Sequence, residues 1–360
     1  MRVSTELTAA VGFAIAGAVS LVATPAAMAM ARRTDFYDRP RDYRRHRAPT
    51  PFLGGAAVLV GFLAAAIALG APDGRLLVLL GCAIGLWLLG TIDDRTAIAP
   101  KWRLLAEAFA AVALIMAGLG WSIDGGDALD GVLSVVWIVG LVNAFNLMDN
   151  LDGACAGVGC VSAAGIGTLA AIHGQPALTG LAFPLAGACA AFLRWNLARP
   201  ARIFLGDGGS MLVGFLVAAL AMAVARHLQV GATSLLACAL LAGLPILDTT
   251  LVSVSRLRRG VALVTGGRDH LTHRLLLALG SPRRVAAALA VTQATLCALA
   301  IAGDRAGATV LAALSIVTVL VALAAIVWLD TARWRPNGIA ISKRSLRTTT
   351  DSPPVGVDPG

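Results

Sequence analysis

The chain of 360 residues is 58% hydrophobic and only 14% charged, with a formal net charge of +9 and a mean hydropathy of +0.80. A soluble domain sits near half apolar and a quarter charged, so too little charge is present to cover a water-facing surface, and a soluble fold is excluded. The basic excess would suit a nucleic acid, but its placement between apolar stretches argues for a membrane surface instead, with no nucleic-acid partner.

A helix needs about 20 apolar residues to cross the hydrocarbon core. Candidate spans run at roughly 7–31, 52–70, 76–92, 104–120, 132–148, 154–173, 177–194, 210–226, 231–254, 284–303 and 307–329, about eleven in all. The reading is an all-α polytopic membrane bundle over residues 1–330, followed by a polar, proline-rich tail at 331–360 that is expected to be disordered. The first span ends in AAMAMA, which looks like a cleavage site. A dense arginine cluster follows it, however, and reads it as a retained anchor. With the N-terminus outside and the C-terminus inside, only Arg2, Arg75, Arg226 and Arg305 among the basic residues fall on the outer side. Six cysteines lie scattered in apolar stretches with no Cys-x-x-Cys pair, and read as small buried hydrophobes.

The outer segment WSIDGGDALDG carries Asp124, Asp127 and Asp130 with no base. The acidic residues near membrane depth instead gather on the arginine side, whose loops are 32–51, 93–103, 143–153, 194–210 and 256–283. Carboxylates near membrane depth are expensive and are functional candidates by default. GTIDDR supplies the adjacent pair Asp93 and Asp94, which repel unless a metal or a base joins them. NAFNLMDNLDG sets Asn143, Asn146, Asp149 and Asp152 three apart. That series drifts about 60° per step on an α-helix but stacks in one column in a 3₁₀ turn or broken helix end. FLGDGGS puts Asp207 among glycines at the start of a span, near Asn196, with Ser210 placed to cap the helix. Asp248 lies late in the ninth span. RLRRGVALVTGGRDHLTHRLL then concentrates Arg256, Arg258, Arg259, Arg268, His270, His273 and Arg274, a set suited to gripping phosphates. The two histidines lack a third soft ligand for zinc. A shallow one-sided ring of carboxylates and arginines fits a polyanion with its metal better than an ion pathway at mid-depth.

Together, DRPRDYRRHRAPTPFLGG, GTIDDR, NAFNLMDNLDG, FLRWNLARPARIFLGDGGS and RDHLTHRLL resemble, in this order, the polyprenyl-phosphate N-acetylhexosamine-1-phosphate transferase family. The resemblance implies transfer of a sugar-1-phosphate, N-acetylglucosamine-1-phosphate first among them, from a UDP-sugar to polyprenyl phosphate with release of UMP. It implies dependence on Mg²⁺, with Mn²⁺ as the alternative. It gives Asp207 as metal ligand with Asp152 helping, and Asp93 and Asp94 as the pair that orients or deprotonates the lipid phosphate. Asn143, Asn146, Asp149 and Asn196 would hold the nucleotide and metal shell, and Arg44, His46, Arg103, His270, His273 and Arg274 would line the phosphate cleft. The expected setting is a bacterial cytoplasmic membrane with the site facing the cytoplasm, and a homodimer is considered. The chain departs from the family pattern at Asn150 (often Gly), Thr272 (often His), Gly267 (often Asp), Arg44 and Arg103 (often Lys) and Glu107 (often Gln). The absent histidine and the PTPFLGG segment point away from the peptidoglycan branch. The rival from another class is a transporter or flippase of polyanionic lipids, which shares the basic face and the many spans.

Overall fold

A computed structural model describes residues 5–38, 49–69, 73–123, 126–228, 233–263, 267–331 and 334. The described chain is helical almost throughout. α1 (Thr5–Arg33) is followed by two two-residue strands, β1 (Tyr37–Asp38) and β2 (Thr50–Pro51), which pair antiparallel. Then come α2 (Gly54–Leu69), α3 (Gly74–Thr96), α4 (Pro100–Met116), α5 (Asp127–Met148), α6 (Ala154–Ile172), α7 (Pro176–Asn196) and α8 (Gly206–Ala225). The chain continues through α9 (Ser234–Leu241), α10 (Gly243–Arg259), α11 (Leu271–Leu279), α12 (Pro282–Ala306) and α13 (Ala308–Leu329). Among the described residues, eight helices are long and apolar enough to cross a membrane, and nine if α9 and α10, bent by 80° at their junction, form one broken span. α2 is a shorter apolar helix. Each expected span has a helix or bent pair at its place, although α2 and α4 fall short of full spanning length. The chain is a multi-pass membrane protein.

Local chemistry sets the helix ends. Asp73 accepts the Leu76 N–H at 2.7 Å to cap α3, and Pro100, Pro176 and Pro282 open α4, α7 and α12, where a missing N–H costs nothing. Gly260 and Gly280 close α10 and α11 in the left-handed conformation.

At the centre stands α8. Apart from Asp207 it is buried along its whole length, ringed by α2, α3, α5, α6, α7 and α9. By contrast α13 leaves most of its apolar surface outward, as a lipid-facing helix should.

Contacts through small residues hold α8 against α3. A Cβ on Gly90 would stand 2.5 Å from the backbone of Asp207, and one on Gly208 would stand 2.7 Å from the Trp87 carbonyl oxygen. Backbones that approach this closely admit only hydrogen at the crossing. Gly54 and Gly55 donate to the Phe204 and Leu205 carbonyls at 3.0 and 2.9 Å, fixing the chain just before α8. Gly90→Ala should therefore push the start of α8 away from the end of α3. The expected result is a loss of about 1–3 kcal/mol, read as a lowered unfolding temperature in detergent, since an added methyl in a filled contact forces backbone shifts.

Candidate active site

The close crossing of α3 and α8 brings the acidic pair of one helix end onto the first turn of the other. Asp207 donates its backbone N–H to both carboxylate oxygens of Asp94, at 3.1 and 3.0 Å. Asp207 also receives Asn146 Nδ2 at 3.0 Å, from the last turns of α5. Arg103, near the start of α4, knits the group together. Its Nη1 lies 2.6 Å from Asp93 and 3.7 Å from Asp207, and its Nη2 donates to Asn146 Oδ1 at 2.8 Å. Asp93 also accepts the Ile98 N–H across the turn between α3 and α4. Four helices thus converge on one polar cluster.

The polar column of α5 behaves as the drift of an α-helix requires. The helix stays α through Met148, and the Asp149 N–H tightens the end by reaching both Phe145 and Asn146 carbonyls, at 3.2 Å each. Asn146 faces Asp207, whereas Asn143 turns aside to donate to the buried Glu107 and to Val139. Asp149 lies just past the helix. Burial, then the nearby charges of Asp207, Asp94 and Asp152, holds its carboxyl well above the usual range, against a backbone hydrogen bond from Gly206. Gly153, at φ 77°, turns the chain into α6.

These carboxylates repel one another and supply oxygen donors only. Oxygen donors of this kind suit a cation that takes one or two carboxylates and fills its remaining positions with water and substrate oxygens, as Mg²⁺ does.

A second group lies on the segment entering α11. Asp269 receives a fork from Arg256 (Nε 2.9 Å, Nη2 2.8 Å) and a third bond from Arg259 at 2.8 Å. Burial alone would raise its carboxyl; the bonds and charge of Arg256, with those of Arg259, outweigh burial and hold it below the ordinary range. The His270 and His273 rings sit 6.3 Å apart. Thr272 donates to Asn150, beside Asp149, and so ties this segment to the end of α5. The positions of two departures from the family pattern therefore touch each other.

The structure assigns different surroundings to several residues expected to meet substrate. Asn196 is buried, and both ends of its amide are spent on backbone: it accepts from Gly153 N–H at 2.6 Å and donates to the Ile203 carbonyl at 3.0 Å. Arg274, 1% exposed, bonds to the Asp269 and Leu329 carbonyls and to Ser255. It anchors the end of α13 rather than an open cleft. Ser210 does not cap α8, which begins at Gly206; its hydroxyl sits inside the first turn, donating to the Asp207 carbonyl and accepting from Asn146. Arg44 and His46 lie outside the described residues. Asp152, Arg268 and His273 all make interactions within the fold. Sequence reasoning gave Asp248 only the default candidacy of an acid near membrane depth, and noted Glu107 only as a departure from the family pattern.

Residues 76–225 match the family described as glycosyl transferase family 4. The chain is 32% identical to the decaprenyl-phosphate N-acetylglucosaminephosphotransferase of Mycobacterium leprae, covering 75% of this chain and 77% of that protein. It is 29% identical to the undecaprenyl-phosphate alpha-N-acetylglucosaminyl 1-phosphate transferase of Escherichia coli K12, over 75% of this chain and 76% of that one. The matched region holds α3, α4, α5 and the start of α8, the helices that build the acidic cluster. On these grounds the chain belongs to glycosyl transferase family 4.

Proposed function

We propose that this protein transfers N-acetylglucosamine-1-phosphate from its UDP-sugar to polyprenyl phosphate, releasing UMP, at the cytoplasmic face of a bacterial inner membrane. The observation that carries the reading is the convergence of Asp93, Asp94, Arg103, Asn146 and Asp207 from four helices at one end of the bundle. The cytoplasmic orientation rests on the arginine bias of the loops at that end.

Phosphoryl transfer asks the protein for positioning and charge neutralisation more than for covalent chemistry. An oxygen of the lipid phosphate attacks the sugar-linked phosphorus. The bond from that phosphorus to the bridging oxygen breaks, and UMP leaves with that oxygen. The acceptor is already anionic, so no protein nucleophile is required. Asp207 is the metal ligand in this reading, with Asp152 assisting at the neighbouring turn. Mg²⁺ (or Mn²⁺) supplies, when bound, neutralisation of the diphosphate charge. Asp93 and Asp94 orient the lipid phosphate, and Arg103 holds Asp93 in place. Asn146 and Asp149 serve the nucleotide side, while Arg268, His270 and His273 face the phosphates from the α11 segment.

The test is UMP release by the purified protein given UDP-N-acetylglucosamine and polyprenyl phosphate, with and without EDTA. Lipid-dependent release that EDTA abolishes and Mg²⁺ restores supports the reading. Absence of UMP with every UDP-sugar tried, alongside movement of a lipid-linked anion across vesicles, would favour the transporter.

A further inference from the structure

The break between α9 and α10 frees backbone groups at membrane depth, where no water stands ready to satisfy them. In an unbroken helix the Leu244 N–H would bond to the Leu240 carbonyl, and residue 245 would donate to Leu241. Pro245 has no N–H to give, and across the 80° bend the backbone bond from Leu244 to Leu240 is not made. Leu240, Leu241 and Leu244 are all buried.

One side chain on a third helix answers all three. Gln293 of α12, itself 0% exposed, accepts the Leu244 N–H on Oε1 at 3.1 Å. Its Nε2 faces the Leu240 and Leu241 carbonyls at 3.1 and 2.9 Å, with the Cys297 sulfur at 3.5 Å. The amide is thus inserted into the missing bond between 244 and 240, and it replaces the donor that the proline withholds. Only this orientation works, because the reverse would set its oxygen against two carbonyls and its nitrogen against an N–H. Gly243 admits α12 at the break, since a Cβ there would stand 2.7 Å from Leu296 Cδ1.

Principles of satisfaction explain the pin, and the contacts beyond it explain what it aims. Asp248 of α10 accepts the Leu271 N–H at 2.6 Å and lies 2.9 Å from His270 Nδ1. The next residue, Thr272, bonds to Asn150 beside Asp149. An unbroken run of contacts therefore joins the break to the end of α5. We propose that Gln293 is a positioning residue: its amide pins the α9–α10 break at its angle, and the pinned α10 holds the α11 segment against the end of α5. The effect on transfer rests on the proposed reaction, and the pin does not.

Residue-resolved hydrogen–deuterium exchange on the full-length protein in detergent reads the pin. In the wild type the Leu244 amide should be protected. Gln293→Met keeps the volume but removes the polar contacts, so exchange at Leu244 should rise about 10-fold or more. Adding Pro245→Ala to that variant returns a backbone donor to Leu241 and lets the helix close through its own bonds. Protection at Leu244 should then return. The kcat for UMP release should stay about 100-fold down, because α10 no longer leaves the break at its native angle. A glutamine needed for stability alone would regain its rate along with its protection. A wild-type Leu244 amide that exchanges freely overturns the pin, even if Gln293→Met does not fold. Unchanged exchange in Gln293→Met, or protection that stays lost in the double variant, overturns it as well. Restored protection with the wild-type rate overturns the positioning role. If the wild type releases no UMP while exchange behaves as stated, the transfer reading has failed and the role falls with it, whereas the pin stands.

Discussion

Asp207→Asn should reduce UMP release by at least about 10³-fold while leaving the protein in the membrane at normal abundance, comparable to losing one preorganised charge-stabilising group from an active site. The side chain is isosteric and 37% exposed, so packing changes little. What changes is the charge. Asn146 and Arg103 both lean on the carboxylate, the adjacent Asp94 takes the Asp207 backbone N–H rather than its side chain, and the cation loses its proposed ligand. Raising Mg²⁺ should not rescue the variant, because the missing group is the ligand itself. The comparison is UMP release per mole of protein eluting as a single peak in detergent. Turnover near the wild-type rate would remove Asp207 from the metal role.

The second large effect belongs to Arg103. Its guanidinium is the cation the structure places among Asp93, Asn146 and Asp207, and its side chain is only 17% exposed. Arg103→Leu leaves Asp93 short of its partner and the acidic cluster uncompensated. Removing one member of a largely buried pair costs about 3 kcal/mol, so unfolding should occur at clearly lower temperature. Added Mg²⁺ should recover part of that loss by neutralising the same carboxylates. Arg103→Lys separates charge from shape. It restores the positive charge but cannot fork between Asp93 and Asn146, so most of the stability should return with about a tenfold loss of rate. Thermal unfolding with and without Mg²⁺, set beside turnover, checks both claims. A leucine variant as stable as wild type would show that the carboxylates are held by something else.

Much of this arrangement was legible in the residues. Asp93, Asp94, Asp149 and Asp207 each abut an apolar span, and a charge in that position has few structural excuses. Their meeting follows from the glycines at 90 and 208, which let two spans touch at the level of the acids. Other parts were not legible, for definable reasons. A polar residue in a membrane-side loop can serve a ligand or the backbone of the loop, and composition does not distinguish the two. Asn196 and Arg274 look like ligands in the sequence and turn out to brace carbonyls and amides. The stretch 231–254 reads as one span because its hydropathy is continuous. Gly243 and Pro245 sit at its 80° break, and a proline there withdraws the N–H that would have carried the helix through. Asp248 was visible as an acid, but its partner lies across a loop whose path local pattern does not fix. The short β1–β2 ladder left no periodicity to detect.

The enclosure of α8 has a bearing on how the protein tolerates its surroundings. Bilayers differ in thickness and acyl composition, and a spanning helix in direct contact with lipid adjusts its tilt or length to match. α8 has almost no such contact; peripheral helices such as α13 take up the mismatch. Asp207 therefore hangs from a shielded post, and its register against Asp94 and Asn146 is insulated from swings in membrane thickness.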